Sequence, residues 1–202
     1  YQFHIAFFTL HNYCAVDLSA LYLDVLKDRL YTNKASSTAR RSGQTAMFII
    51  LNAMTKLLAP ILTFTSEEVW SAMPEWIGKE ESVHLASFPK LEEKYFNADL
   101  AERWKIMIDI KAEIAKAVEQ ARKEKIIGHS LDARILIAAP EKLQTLLADH
   151  LEDLRALLIV SQLAIVDEKD IDKPYKSDEI KGLTIGVEKA RGAKCERCWI
   201  YE

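Results

Sequence analysis

Two groups of residues have the types and spacing to do chemistry. Between Lys27 and Arg41 five cations, Lys27, Arg29, Lys34, Arg40 and Arg41, stand against a single anion, Asp28. The polar residues 32–38 read as a turn between two helices, so these cations meet at a corner where they can converge on one surface. Phosphates suit such a surface, and the plain alternative is a solvated charge run around a tight turn. Tyr31 stands beside them with a flat aromatic ring. At the far end, Cys195 and Cys198 are separated by two residues, the spacing with which two thiolates hold one edge of a tetrahedron around zinc. Two ligands are half a site. None of His4, His11, His84, His129 or His150 lies close in sequence. A redox pair would need a thioredoxin-like βαβ setting, and a flexible tail is the third reading. Trp199 stands next to the pair and near Arg197.

The elements that must position these residues are mainly helical. Leu18, Leu21, Tyr22, Val25, Leu26 and Arg29 recur at helical spacing, with Asp17 as the N-cap. Arg29 falls on that apolar face, where it can instead anchor the helix through Asp24 or Asp28. Residues 3–13 read as the end of a helix with Phe3, Phe7 and Phe8 facing a core. Residues 39–62 carry a second apolar stripe, broken by Pro60. Thr65 and Glu68 have the spacing of a capping box, and Phe64 and Val69 that of a hydrophobic staple. Trp70, Met73 and Trp76 read as core. Residues 83–100 form a loop, with a domain boundary near Asn97. A helix over 99–125 follows, roughly 40 Å long at 1.5 Å per residue. Its face comprises Leu100, Trp104, Met107, Ile108, Ile114, Ala115 and Val118, and Gly128 closes it. The period then changes, giving strands at 131–138, 163–166 and 183–188, a helix over 140–160 and an exposed linker over 167–181.

Composition bounds the rest. The chain has 202 residues, 50% hydrophobic and 28% charged, as in ordinary globular proteins. Its net charge of −3 gives no global reason to expect nucleic acid, so charge placement matters more than charge total. Residues 67–93 hold seven carboxylates against two lysines, an acidic flank that would repel an anionic partner. Three cysteines, Cys14, Cys195 and Cys198, are too few for a disulfide framework and fit a reducing compartment. The N-terminus lacks signal-peptide features, and no run of about 20 apolar residues could span a membrane. The chain starts without methionine and stops just after the cysteine pair, so both ends read as cut from something longer.

Wording adds what charge does not. The run YLDVLKDRLYTNKASSTARRSGQTA, with LLAPILTFTSEEVW after it, resembles the helical anticodon-binding region of class I aminoacyl-tRNA synthetases, the bacterial isoleucyl enzymes above all. AVEQARKEKIIGHSLDARI resembles the junction that follows the bundle there, although His129 and Asp132 stand where a small residue and Glu are expected. CERCW resembles the first half of the C-terminal zinc element, whose second pair would lie beyond Glu202.

The resemblance implies a mainly α fold. Its parts are a helical anticodon-binding bundle (1–97), a long helix with a small α+β junction domain (98–192) and an incomplete zinc element (193–202). It implies recognition of the tRNA(Ile) anticodon stem-loop, with Lys27, Arg29, Tyr31, Lys34, Arg40, Arg41 and Trp199 as RNA-binding candidates. Cys195 and Cys198 would be zinc ligands in the parent, with no metal held by the fragment. The signature motifs of the catalytic body, resembling HIGH and KMSKS, are absent, so ATP and isoleucine belong to a part not in this chain. The same resemblance implies a cytoplasmic monomer with no DNA or membrane partner. Two rivals remain: the equivalent region of a valyl or leucyl enzyme, and a helical protein-interaction module without RNA.

Overall fold

The computed structural model describes residues 2–202 and divides the chain into two compact units, Tyr1–Phe96 and Asn97–Glu202. The first unit is all helical. Its opening helix does not start at Asp17. α1 (Phe3–Asn12) passes into a wider, π-type stretch (Tyr13–Leu23) and then into α2 (Asp24–Tyr31). Tyr13 and Asp24, at the two joins, have helical backbone angles, so the chain never leaves the helix. Asp17 is therefore interior, where an extended N-cap conformation is not available. The expected core face of α1 is also corrected: Phe3, Phe7 and Phe8 are each more than half exposed. Phe7 packs edge to face on Phe8, with centroids 5.5 Å apart, and beside His11 at 5.7 Å.

The turn after α2 leads to α3 (Thr38–Leu58). Ser37 is extended, and its Oγ accepts the Arg40 N–H at 3.2 Å, an N-cap that sets the start of α3. Gly43 is buried against Leu26: a Cβ there would lie 3.1 Å from Leu26 Cδ2, so the missing side chain lets α2 and α3 approach. The helix ends before Pro60, as the proline predicts.

The capping box expected at Thr65 does not form. Backbone bonds from Leu62 N–H to the Leu58 carbonyl (2.8 Å) and from Ser66 N–H to the Leu62 carbonyl (2.8 Å) restart helical bonding earlier. α4 (Thr63–Ala72) thus already contains Thr65, and Leu62 stands at the N-cap without a side-chain bond. Phe64 is 86% exposed, so no staple forms either. The Glu67 carboxylate instead accepts from Ser82 Oγ (2.8 Å) and Val83 N–H (3.0 Å), tying a later turn to α4. That turn completes a core of Ala59, Trp70, Met73 and Val83, flanked by Phe48, Val69, Trp76 and Ala86. Both tryptophans belong to it, edge to face at 5.2 Å.

The second unit begins with α5 (Ala98–Lys123), capped by Asn97 Oδ1, which accepts the Leu100 N–H at 2.9 Å. Its buried stripe is Met107, Ile110, Glu113, Ile114, Ala117, Val118 and Ala121. Met107, Ile114 and Val118 are buried as expected, but Leu100, Trp104, Ile108 and Ala115 stay exposed, so the buried face begins two turns later than expected. The helix is closed not by Gly128 but by Lys125, whose φ is 59°. Lys125 N–H reaches the Arg122 carbonyl (3.0 Å) and Ile126 N–H the Ala121 carbonyl (2.9 Å), which satisfies carbonyls left open at a helix end.

A four-stranded sheet follows, formed by β1 (Ala133–Ala138), β2 (Gln162–Ile165), β3 (Tyr175–Lys176) and β4 (Thr184–Lys189) in the order β2-β1-β4-β3. β1 and β2 are parallel, with Ile135 beside Leu163, while β4 runs antiparallel to both β1 and β3. A parallel pair needs a crossover, here made by α6 (Glu141–Asp149) and α7 (Leu151–Leu158), which His150 separates where one helix was expected. The linker over 167–181 is not wholly exposed. Ile171 is buried against Leu136 and Ala138, and Gly186 makes room for it: a Cβ there would sit 2.7 Å from Ile171 Cγ2.

Glu113 is the buried charge of this unit. It pairs with Lys116 at 2.5 Å and accepts from Tyr175 Oη at 3.3 Å, which ties β3 to α5. The Lys116 hydrogen bond, then that of Ser177, hold its carboxyl below the usual glutamate range. With the folded pKa depressed, the stabilisation is full above the unfolded value of about 4.3 and is lost as pH falls through the folded one. Urea unfolding of Glu113→Gln should therefore show a shallower loss of stability between about pH 5 and 3 than the parent. Parallel pH profiles would contradict this.

Candidate nucleic-acid interface and cysteine knuckle

The corner between α2 and α3 sorts the expected cations by what they already hold. Lys27 Nζ pairs with Asp24 at 2.7 Å on the surface. Arg40 is half-buried, and its Nη1 donates to the Asn33 carbonyl at 3.3 Å, so it braces the turn. Arg29 is half-buried beside Tyr22; burial raises the Tyr22 phenol and the Arg29 charge acts the other way. Thr32 Oγ1 donates to the Asp28 carbonyl (2.8 Å) and carboxylate (2.9 Å), which closes α2. Lys34 and Arg41 are exposed, and among the described residues neither side chain makes an ion pair. Tyr31 is 76% exposed. The corner thus presents two unpaired cations, a third shared with a carboxylate, and an open aromatic ring.

Trp199, Cys195 and Cys198 belong to the second unit, where the chain end forms a hydrogen-bonded hairpin. Ala193 and Glu202 exchange backbone bonds of 2.8 and 3.1 Å, and Cys195 N–H donates to the Ile200 carbonyl at 2.9 Å. Trp199 turns this hairpin with φ 64°. The hairpin is seated on the sheet domain: Tyr201 N–H donates to Ser161 Oγ (2.9 Å) and Tyr201 Oη to Asp132 (3.4 Å), while Lys194 lies 3.6 Å from Asp132. Lys194 Nζ also stands 5.7 Å from the Trp199 ring and 5.5 Å from that of Tyr201, within cation–π range. This frame of Ser161, Asp132, Lys194 and Tyr201 has no local sequence signal, because its partners are 40 and 69 residues apart.

The thiol of Cys195 is exposed and held below its ordinary pKa, first by the backbone N–H of Cys198, then by that of Arg197 and by the Cys198 side chain. Amides directed at sulfur favour the thiolate, the form that binds metal. The pair therefore suits one edge of a zinc site. Among the described residues no third His, Cys, Asp or Glu completes it.

The family model described as the anticodon-binding domain of tRNA ligase matches residues 1–137. The chain belongs to this family. It is 47% identical over its whole length to an isoleucine–tRNA ligase of Syntrophotalea carbinolica, 42% to one of Geobacter sulfurreducens and 46% to one of Nitratidesulfovibrio vulgaris. It spans only 21–22% of the length of these relatives. The mainly α fold with a small α+β part agrees with the resemblance read from the sequence. No helix among the described residues is long and apolar enough to cross a membrane.

Proposed function

We propose that this chain is the anticodon-recognition part of an isoleucine–tRNA ligase, without its own catalytic site. Its partner is then tRNA(Ile), held so that the acceptor end reaches an active site elsewhere, where isoleucine and ATP are handled. The observation that carries this is the α2–α3 corner. Lys34 and Arg41, unpaired among the described residues, stand there with open Tyr31, within the residues that match the family. An anticodon loop offers phosphates and splayed bases, which cations and a flat ring are suited to receive. Of the other candidates, Lys27 adds a shared charge, Arg40 braces the turn, Arg29 lies half-buried beside Tyr22, and Trp199 offers a second ring. The proposed organisation is a bundle over 1–97, a junction domain over 98–192 and the cysteine element over 193–202. In a longer protein Cys195 and Cys198 would supply half of a zinc tetrahedron. The names of the relatives favour the isoleucyl enzyme over a valyl or leucyl one, and the setting would be a cytoplasmic monomer.

The test is a titration with isoleucine tRNA, an anticodon-altered form and an unrelated tRNA at about 50 and 200 mM salt. Three phosphate contacts predict a roughly 20- to 40-fold loss of affinity between those salts. The altered anticodon should bind more weakly still. No binding at either salt would overturn the RNA reading and leave a protein-interaction module.

A further inference from the structure

The sheet of the second unit leaves part of one edge open. β3 covers only Thr184 and Ile185 of the six residues of β4. Beyond Tyr175 the pairing stops: Pro174 has no N–H to give, and Lys173, which the register sets opposite Val187, leaves the strand conformation at φ 51°. The Ala190 N–H bonds the Asp132 carbonyl at 2.7 Å on the β1 side, and the Ser177 N–H bonds the Leu183 carbonyl at 3.0 Å on the β3 side. In an antiparallel ladder the two sides alternate residue by residue. Gly186 and Glu188 therefore bond toward β1, while the N–H and C=O of Val187 and Lys189 point to the open side. Among the described residues, nothing there accepts from them or donates to them.

Beside this edge a cleft of about 660 Å³ lies between α5 and the sheet. Ala117, Ala121 and Ile126 form one wall, and Ile185 and Val187 the other. Sheet edges are commonly blunted by proline and lysine, and Pro174 and Lys189 stand at the two ends of the gap. Blunting explains those two residues and leaves the apolar cleft between them unexplained. A residue added opposite Val187 would turn its side chain to the same face, into the cleft, and its neighbour would turn to the face of Glu188. The lining also holds Glu124, Asp172 and Glu188 against Lys173. Glu188 is shared by Arg134 (3.1 Å) and Arg191 (3.5 Å). Glu124 and Asp172 are exposed and, among the described residues, make no ion pair. Glu124 is also the C-cap of α5, where the helix dipole adds to its negative charge.

We infer that an extended segment of a partner protein, apolar at alternate positions and basic between them, adds a strand to β4 along residues 187–189. Its backbone bonds Val187 and Lys189, one apolar side chain fills the cleft, and its cations meet Glu124 and Asp172. In strand addition the main chain supplies affinity and the pockets for alternate side chains supply selectivity. This contact is independent of the α2–α3 corner and holds whether or not the chain binds RNA.

The probe is a capped heptapeptide alternating lysine with valine, titrated into the whole 202-residue chain and followed by amide NMR. The Val187 and Lys189 amide signals should shift, and their hydrogen exchange should slow about tenfold or more once the peptide supplies acceptors. Methylating the valine amide nitrogens removes the donors that would face β4 and keeps every side chain and charge. Affinity should then fall about tenfold or more. Equal binding of the methylated peptide would mean a groove ligand without strand addition and overturn the inference. Glu124→Lys with Asp172→Lys should weaken the lysine peptide about tenfold and let a glutamate–valine peptide bind in its place, an exchange that misfolding cannot produce. If parent and variant bind both peptides alike, the segment is not a basic one and the inference fails. It fails too if about 1 mM peptide leaves the Val187 and Lys189 signals unmoved. Protection of these amides that rises with the concentration of the chain alone would give the edge to a second copy instead.

Discussion

Lys34→Glu with Arg41→Glu is expected to weaken tRNA binding at least a hundredfold at about 50 mM salt and to flatten the salt dependence by about 1.4–1.8 units of slope. Each cation near a phosphate is worth about 1 kcal/mol in bulk water and up to about 4 kcal/mol at a protein surface, and reversal replaces attraction with repulsion. Two such sites exceed the ~2.7 kcal/mol that a hundredfold loss requires. Both side chains are exposed and, among the described residues, unpaired in the folded chain, so the stability cost should stay within about 0.5 kcal/mol. The neutral pair Lys34→Gln with Arg41→Gln should fall between parent and reversal. Arg40→Ala gives the contrast: it removes the bond to the Asn33 carbonyl and should lower stability by about 0.5–1.5 kcal/mol. If the reversed chain melts normally and binds tRNA as the parent does, the corner is not the interface.

That contrast marks how far the sequence carries the site. The surplus of cations between Lys27 and Arg41 is plain in the letters. Which of them are free is not, since Arg40 is engaged by a carbonyl seven residues away and Lys27 by the nearer Asp24. The cysteine spacing signals metal chemistry, but the frame that seats the knuckle comes from Ser161 and Asp132, whose roles depend on the sheet's being assembled. A site built from one turn can be read in sequence, and a site built from several strands cannot.

The same distinction runs through the fold. Pro60 and the strand alternation near Ile135 act locally, and both are honoured. Asp17 and Thr65 are sound capping residues in isolation, yet each lies where helical bonding is already under way, so the cap has nothing to satisfy. Gly128 is the obvious stop for α5, but the helix has closed at Lys125 before reaching it. Apolar spacing gives the phase of a face without saying what covers it, which is why Phe3, Phe7 and Phe8 read as core and stand exposed.

Trp70→Ala should be the most damaging single substitution in the bundle, costing about 3–5 kcal/mol. Trp70 is 1% exposed at the centre of the helical core, with Trp76 edge to face at 5.2 Å, and Lys56 Nζ 5.5 Å from its ring. Its Nε1 donates to the Glu80 carbonyl at 2.8 Å, holding the acidic turn against α4. Alanine would empty the space between α3, α4 and that turn, leave the carbonyl without its donor and remove the edge contact with Trp76. Trp70→Phe separates these effects: it refills most of the volume and loses the hydrogen bond, for about 1 kcal/mol beyond the volume change. Urea unfolding followed by circular dichroism measures both. A bundle losing a total ΔG of about 5–15 kcal/mol on unfolding has little margin for the alanine variant, whose tRNA affinity should fall with its folded fraction. A loss below about 1 kcal/mol for Trp70→Ala would mean that this core does not hold α3 to α4. The α2–α3 corner would then depend on Leu26 against Gly43 for its geometry.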